Sequence, residues 1–372
     1  MSEPARRFVL SQLEKTGVTL NGPQPWDPQV HDERLWARLL RDGTLGLGES
    51  YMDGWWDAAA LDQFLFRLIA ANIQDGFPRD LAVMWSVVRG RLLNLQRLRA
   101  TEVGEKHYDI GNDLYAAMLD RRMIYSCGYW KDAADLDAAQ EAKLDLICRK
   151  IGLMPGMRVL DIGSGWGGFL QFAAERYGIS GLGVTVSKEQ AAFANERLAG
   201  LPVETRLLDY QALDGQFDRI VSIGMFEHVG YKNYRAYFEK SAGLLSADGL
   251  MLLHTIGGHH STTHGDPWSE KYIFPNGMLP SIAQIGKAVE GLFVMEDWHN
   301  FGADYDRTLL AWRDNFDAAW PKLEGERYDE RFRRMWRYYL SVFAALFRAR
   351  NISLWQIVLS PRGVPGGYAS IR

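Results

Sequence analysis

The stretch from Val159 to Phe169, VLDIGSGWGGF, holds the residues whose types and spacing say most about chemistry. Val159, Leu160 and Ile162 suit a buried parallel strand. Gly163, Gly165, Gly167 and Gly168 let the chain turn tightly and come close to a ligand, before the helical sequence FLQFAAERYG. A strand–turn–helix corner of this kind binds a nucleotide-like cofactor at the carboxyl end of a sheet. More polar residues are expected on the same rim: Tyr125, Ser126 and Cys127 in IYSCGYW, Glu227 and His228 in GMFEHVG, His254 and Ile256 in LLHTIGG, and Tyr305 in NFGADYD. A histidine alone at a strand end is most often a satisfied core residue. In the company of Glu227 and Tyr305, His254 is better read as functional.

A dinucleotide fingerprint requires G-x-G-x-x-G and an acid about 20 residues on, at the tip of the second strand. Here the second strand, GLGVTVSKEQ, ends in Thr185 and Ser187, with no acid before Glu189. D-x-G-x-G-x-G instead resembles the first motif of S-adenosylmethionine (SAM) methyltransferases. Asp209–Tyr210, which closes VETRLLDY, sits where such enzymes hold the adenine. SAM is favoured over NAD.

The elements that position these residues can be read from periodicity. Residues 1–95 look mostly helical and self-contained, with apolar residues at helical spacing in Glu33–Arg41, Leu61–Ala71 and Leu81–Leu95. Between them GTLGLGESYMDGWWD reads as a turn region, and the polar segment 96–106 as a linker. From His107 to 372, strand and helix alternate. The expected strands are Arg158–Ile162, Gly181–Val184, Val203–Leu207, Arg219–Ile223 and Gly249–Ile256, with helices Phe169–Arg176, Lys188–Leu198 and Tyr231–Leu245 between them. That alternation predicts an α/β fold with a doubly wound, Rossmann-like sheet. Phe293–Trp298 and Leu354–Leu359 would add two edge strands, one of them antiparallel. Helices Ile110–Leu119 and Ala138–Ile151 precede the first strand and are expected to form a lid over the cofactor.

Composition narrows the setting. The 372 residues allow two or three domains, and 47% hydrophobic with 24% charged residues is ordinary for a globular chain. No signal-peptide pattern opens the sequence, and no run of about 18 apolar residues could span a bilayer. Cys127 and Cys148 suggest no disulfide framework, and a reduced cytoplasmic setting suits them. A net charge of −4 makes no case for nucleic acid. Arginines cluster at Arg89, Arg91, Arg97 and Arg99, and again at Arg327, Arg331, Arg333, Arg334, Arg337, Arg348 and Arg350. With 13 Trp and 12% aromatic residues, such clusters suit a membrane–water interface. Core aromatics and solvated helix faces are the competing reading. His259, His260 and His264 lie in a polar loop that offers no fixed four-ligand geometry, so no metal is expected.

Seven motifs in order, HYDIGNDLY, YSCGYWKD, DIGSGWGG, SIGMFEHVG, LLHTIG, KYIFPNGMLPS and DWHNFGADYDRTLLAW, resemble the cyclopropane-fatty-acyl-phospholipid synthases and the related mycolic-acid cyclopropane synthases. GESYMDGWWD extends the resemblance into the first region and points to the phospholipid branch. The resemblance implies methylene transfer from SAM to the cis double bond of a phospholipid acyl chain, closing a cyclopropane ring with bound bicarbonate as base. Cys127 and Ile256 would contact the bicarbonate through their backbones, His254 and Tyr305 would donate hydrogen bonds to it, and Glu227 would accept its hydroxyl proton. For SAM the carried-over residues are Tyr125, Ser126, Gly163, Gly165, Thr185, Gln190, Asp209 and Tyr210, with Ser164 standing where close relatives carry cysteine. The first region would bind lipid and pair two copies into a homodimer, at the inner face of the membrane. Two other readings stay open: a fatty-acyl methyltransferase with a methyl-branched or methylene product, and a non-catalytic peripheral membrane protein on the same fold.

Overall fold

The structure is a computed structural model in which residues 2–72, 111–323 and 327–372 are described. The expected helix Leu81–Leu95, the linker 96–106 and the arginines at 89–99 lie outside those residues. Two short strands, β1 (Gln29–Val30) and β2 (Trp56–Asp57), pair antiparallel. The other strands are β3 (Arg158–Ile162), β4 (Ser180–Thr185), β5 (Val203–Leu207), β6 (Phe217–Ile223), β7 (Leu245–Gly258), β8 (Val294–Asn300) and β9 (Ile352–Ser360). They form one sheet in the order β5-β4-β3-β6-β7-β9-β8. Neighbours from β5 to β7 run parallel, and the order reverses beside β3. That crevice is where an open α/β sheet binds its ligand.

Alternate residues of each strand face opposite sides. Val159, Val221 and Leu252 pack on one side against Leu144, Ile147, Leu170 and Ala194. Leu160, Ile220 and Leu253 pack on the other against Tyr237, Phe238 and Ile285. The edge expected at Leu354–Leu359 is corrected. β9 runs antiparallel between β7 and β8, and all of its residues are buried, so β8 alone is the edge strand on that side. The near-continuous apolar run ISLWQIVLS is the mark of a strand covered on both faces.

Two helical expectations also change. The described residues give α1 (Ser2–Leu13), α2 (Leu35–Met52) and α3 (Leu61–Ala70) in the first region. GTLGLGESYM is therefore helical rather than a turn, apart from a break at Gly43 (φ 55°). Gly48 is there for close packing: a Cβ on it would lie 2.3 Å from the Trp268 indole. After α4 (Asn112–Met118), α5 (Leu136–Lys150) buries Leu144, Ile147 and Cys148 completely against the sheet. It is a layer helix capped by Asp135, not a lid.

The remaining described helices are α6 (Gly168–Tyr177), α7 (Lys188–Arg197), α8 (Tyr234–Leu244), α9 (Pro267–Tyr272), α10 (Ile282–Val289), α11 (Ala303–Ala319) and α12 (Glu330–Arg348). α11 and α12 share one apolar cluster with the first region, which joins Val9, Trp36, Phe64 and Leu65 to Trp312, Trp336 and Tyr339. The first 72 residues therefore do not keep a separate core. The late arginines lie at this seam. Arg331 pairs with Asp53, Arg334 with Asp57, Arg337 with Asp317, and Arg348 with both Asp62 and Asp306. Arg331, Arg334 and Arg348 hold the first region to α12, and Arg337 ties α12 to α11, rather than forming an open basic face. Among the described residues no helix is long and apolar enough to cross a membrane.

Asp62 accepts from Arg313 at 2.8 Å and from Arg348 at 2.9 Å. Burial would raise its carboxyl pKa, but the two guanidinium bonds outweigh burial and hold it below the ordinary value. A carboxylate with a depressed pKa stabilises the fold above its unfolded pKa, and that stabilisation is lost as pH falls through the folded one. Asp62→Ala should lower stability by roughly 2 kcal/mol in urea melts at pH 7, since two partly buried guanidinium groups each lose one charged hydrogen-bond partner. The deficit should shrink once pH drops below about 4.

Candidate active site

A single cavity of about 840 Å³ opens at the carboxyl ends of β3 and β4. Tyr125, Ser126, Gly163, Gly165, Thr185, Gln190, Asp209 and Tyr210 all line it, so every residue expected to hold a nucleotide cofactor shares one wall. The corner after β3 is built by positive φ: Gly163 at 87°, Gly165 at 53° and Gly167 at 78°. The Gly163 and Ser164 N–H groups both donate to Val184 O at 3.0 Å. A Cβ on Gly165 would meet nothing within 4 Å, so that backbone faces open space where a ligand can approach. Beyond β4, the Thr185 hydroxyl donates to Gln190 Oε1 at 2.8 Å, and Ser187 caps α7 by accepting from Gln190 N. Beyond β5, Asp209 accepts from Gln211 N at 2.9 Å, and Tyr210 stands edge-on to Tyr237.

Glu227, Ile256 and Tyr305 line the same cavity. Glu227 sits in a 3₁₀ turn after β6, and its Oε1 accepts from Ile256 N–H at 2.7 Å. The backbone contact expected from Ile256 is thus made to this carboxylate. Oε2 of Glu227 is buried and has no hydrogen-bond partner. Burial raises the carboxyl to about 7, even though the Ile256 bond pulls it down. Tyr305 opens α11, with its ring against Phe347 and Trp312.

Cys127 and His254 are placed one layer behind this wall, with 0% and 1% exposure. His254 lies on β7 two residues before Ile256, hence on the same face. Gln356 Nε2 is 3.3 Å from His254 Nδ1. With the Gln356 amide in this orientation Nδ1 accepts, so Nε2 carries the hydrogen. That Nε2 is buried without a partner. Burial, aided by Lys143 and Lys150, holds His254 well below its ordinary pKa and keeps it neutral. Cys127 Sγ donates to Gly128 O, and burial pushes its thiol well up, which leaves no thiolate nucleophile.

Sequence reasoning passed over Lys143, and it gave no role to Asp161, the acid of the glycine motif, or to His228 on the rim. Lys143 is fully buried and donates to Ser126 Oγ at 2.9 Å. Asp161 is 2% exposed, with an unpartnered Oδ1 and a carboxyl raised by burial to about 7. His228 also lines the cavity, and burial lowers its pKa to about 4. A signal for Lys143 existed: it falls at helical spacing with Ala139, Gln140 and Ile147, on the face of α5 that must be buried. Among the described residues His259 bonds Arg350 O at 2.7 Å, and no cluster of three acidic, His or Cys groups is arranged for a metal.

Past Tyr305 the cavity becomes apolar. Tyr339, Phe343 and Leu346 of α12 form one side, and Val9, Leu13, Trp36, Phe64 and Leu68 of the first region form the other. Phe274 packs edge-on to Tyr339 and Phe343, closing a ring of aromatic side chains.

Comparison with known proteins agrees with this geometry. Residues 95–357 match the family model described as mycolic acid cyclopropane synthetase. The chain is 52% identical over 367 residues to the cyclopropane-fatty-acyl-phospholipid synthase of Escherichia coli, covering 98% of this chain and 96% of that one. It is 35% identical, over 97% of its length and 90% of the relative's, to the tuberculostearic acid methyltransferase UfaA1 of Mycobacterium tuberculosis. Among solved structures, the mycolic acid cyclopropane synthase CmaA1 complexed with SAH and CTAB superposes with a TM-score of 0.63 at 33% identity, covering 70% of this chain and 97% of that one.

Gly165→Val places two methyls in the open space before the glycine corner, at a positive φ that valine adopts only with strain. Binding of S-adenosylhomocysteine by calorimetry should be abolished while the far-ultraviolet circular dichroism spectrum is retained. Retained binding would remove Gly165 from the cofactor wall.

Proposed function

We propose the reaction from one premise: this chain belongs to the mycolic acid cyclopropane synthetase family. It is a SAM-dependent methyltransferase-fold enzyme that transfers a methylene to unsaturated lipid chains. The acceptor is the cis double bond of a membrane phospholipid acyl chain, and the product is a cyclopropane ring. One observation carries this reading: a single cavity joins the cofactor corner, the Glu227 carboxylate and a long apolar passage.

Alkene carbons are weak nucleophiles and the sulfonium methyl is a strong electrophile, so transfer leaves a positive carbon that water must not reach. Tyr305, Phe274, Tyr339 and Phe343 surround the passage beside Glu227 with aromatic surface. Cation–π attraction there is worth about 2 kcal/mol or more once water is excluded. The apolar walls contributed by Val9, Leu13, Trp36 and Phe64 hold the acyl chain in line with the cofactor.

Ring closure needs a base for one proton of the transferred methyl. The residues suit bicarbonate as that base, because a buried acceptor (Glu227 Oε2) and a buried donor (His254 Nε2) both lack partners. Leaving each unmade costs about 1–3 kcal/mol, which a small group with one hydroxyl and several acceptor oxygens removes. When bound, bicarbonate supplies the basic oxygen. Glu227, held by Ile256 N–H, accepts the hydroxyl proton and fixes orientation, while Tyr305 and neutral His254 donate and Cys127 contributes backbone.

The same reading has the enzyme work peripherally, at the inner face of the bilayer, as a homodimer. Residues 1–95 serve lipid binding and pairing, 96–106 the link, and 107–372 the chemistry. What supports the lipid role is the apolar wall that the first region gives the cavity. The relative named a methyltransferase keeps a second product in view, a methyl branch or methylene.

Incubated with SAM, bicarbonate and vesicles of cis-unsaturated phospholipid, the purified protein should add one methylene per double bond, with cyclopropane proton shifts in the product. No gain in lipid mass would overturn the reading, and a gain without ring protons would support the branched product. Glu227→Gln should lower kcat about 100-fold or more while leaving SAM affinity unchanged. Since Glu227 must accept a proton, and its carboxyl is raised to about 7, kcat in the wild type should decline as pH falls below neutrality.

A further inference from the structure

Among the described residues that line the cavity, Lys143 is the only lysine or arginine. Its side chain has no exposed surface. A buried ammonium is expensive unless paired, yet among the described residues the hydrogen-bond partner of Lys143 Nζ is a hydroxyl and not a carboxylate. Asp120, the acid whose charge acts on it most, accepts from the Arg122 and Ile124 N–H groups at 2.9 and 2.8 Å. Packing alone would be served by leucine or methionine at this position of α5, so the charge itself calls for an explanation.

Its contact supplies one. Lys143 Nζ donates to Ser126 Oγ at 2.9 Å, and Gln140, one turn earlier on the same face, donates to Ser126 O at 2.7 Å. α5 thus grips Ser126 by both side chain and backbone. An ammonium can only donate, so the Ser126 hydroxyl accepts there and its own hydrogen is left for a group in the cavity. Asp161, at the end of β3, feels the charge of Lys143 and has a buried, unpartnered Oδ1.

The ligand geometry completes the argument, and it rests on the SAM reading above. Asp209 and Tyr210 stand beyond β5, and Thr185 and Gln190 beyond β4. With adenine and ribose there, the methionine end falls beside β3, at Ser126 and Asp161. That end is a zwitterion, an α-ammonium next to an α-carboxylate. A carboxylate facing a hydroxyl backed by an ammonium is its electrostatic complement.

We infer that Lys143 is a positioning residue for the cofactor's carboxylate: it fixes the Ser126 hydroxyl as a donor to that group and supplies the counter-charge from behind, without touching the cofactor. Asp161 takes the α-ammonium on the other side. The site therefore recognises the amino-acid end of the cofactor as a charge pair, separately from its nucleoside.

Two nucleosides separate this from a structural role. S-adenosylhomocysteine carries the α-amino acid, and 5′-methylthioadenosine lacks it. By calorimetry Lys143→Met should weaken S-adenosylhomocysteine roughly 10- to 100-fold, the range for outer groups that orient inner ones, and leave 5′-methylthioadenosine within about threefold. Ser126→Ala should show the same split, and the double variant should lose less than the two single losses combined, because the hydroxyl contact is common to both. Equal weakening of both nucleosides, or of neither, overturns the inference. If Lys143→Met does not fold, Ser126→Ala decides alone by the same split. Wild-type protein that binds neither nucleoside sinks the cofactor reading itself, which is a different failure.

Discussion

Burial of ionisable groups away from water is the constraint on which the rest of this structure depends. Glu227 is held in an apolar chamber by one backbone N–H, with its second oxygen unpartnered. His254 is kept neutral behind it, and Lys143 and Asp161 are buried a short way off. Each arrangement is costly in isolation. The sheet, α5 and the first region tolerate it because they supply enough apolar contact to keep solvent out. A wetter chamber would relieve every one of these groups and, in the proposed reaction, would also quench the positive carbon.

That dryness explains why the first region shares its core with α11 and α12. Val9, Trp36 and Phe64 both pack against α12 and wall the passage beyond Tyr305. One set of contacts therefore stabilises the fold and shapes the apolar end of the cavity, the proposed acyl passage. Ion pairs such as Arg334–Asp57 and Arg348–Asp62 fasten the outside of the same seam. These arginines look in sequence like a basic surface for anionic lipid. In three dimensions they are internal clasps, and the buried Trp36, Trp56, Trp312 and Trp336 are core rather than membrane anchors.

The misreadings share a physical cause. Glycines mark a turn only if no neighbour needs the room, and in GTLGLGESYM the Trp268 ring needs it at Gly48. An apolar strand near the chain's end can be an edge or an insertion, and only its pairing with both β7 and β8 decides. α5 looks like a lid because it precedes the first strand. It becomes a layer helix because Leu144, Ile147 and Cys148 find the sheet. In the last two cases periodicity gave the element and a long-range partner gave its place, while at GTLGLGESYM the partner bears on the element itself.

What the chain determines locally is considerable. The alternation of strands and helices, the glycine corner after Ile162, the polar residues at strand ends and the order of the motifs are all legible residue by residue. Each depends on backbone preference or on spacing within one element. Which of those polar residues meet, and in what protonation state, is not local. Glu227 and Ile256 are far apart in sequence and are joined by a hydrogen bond that exists only once β6 and β7 are paired. Lys143 acquires its meaning only when α5 lies against Ser126. Charge state follows burial, and burial is a property of the packed whole.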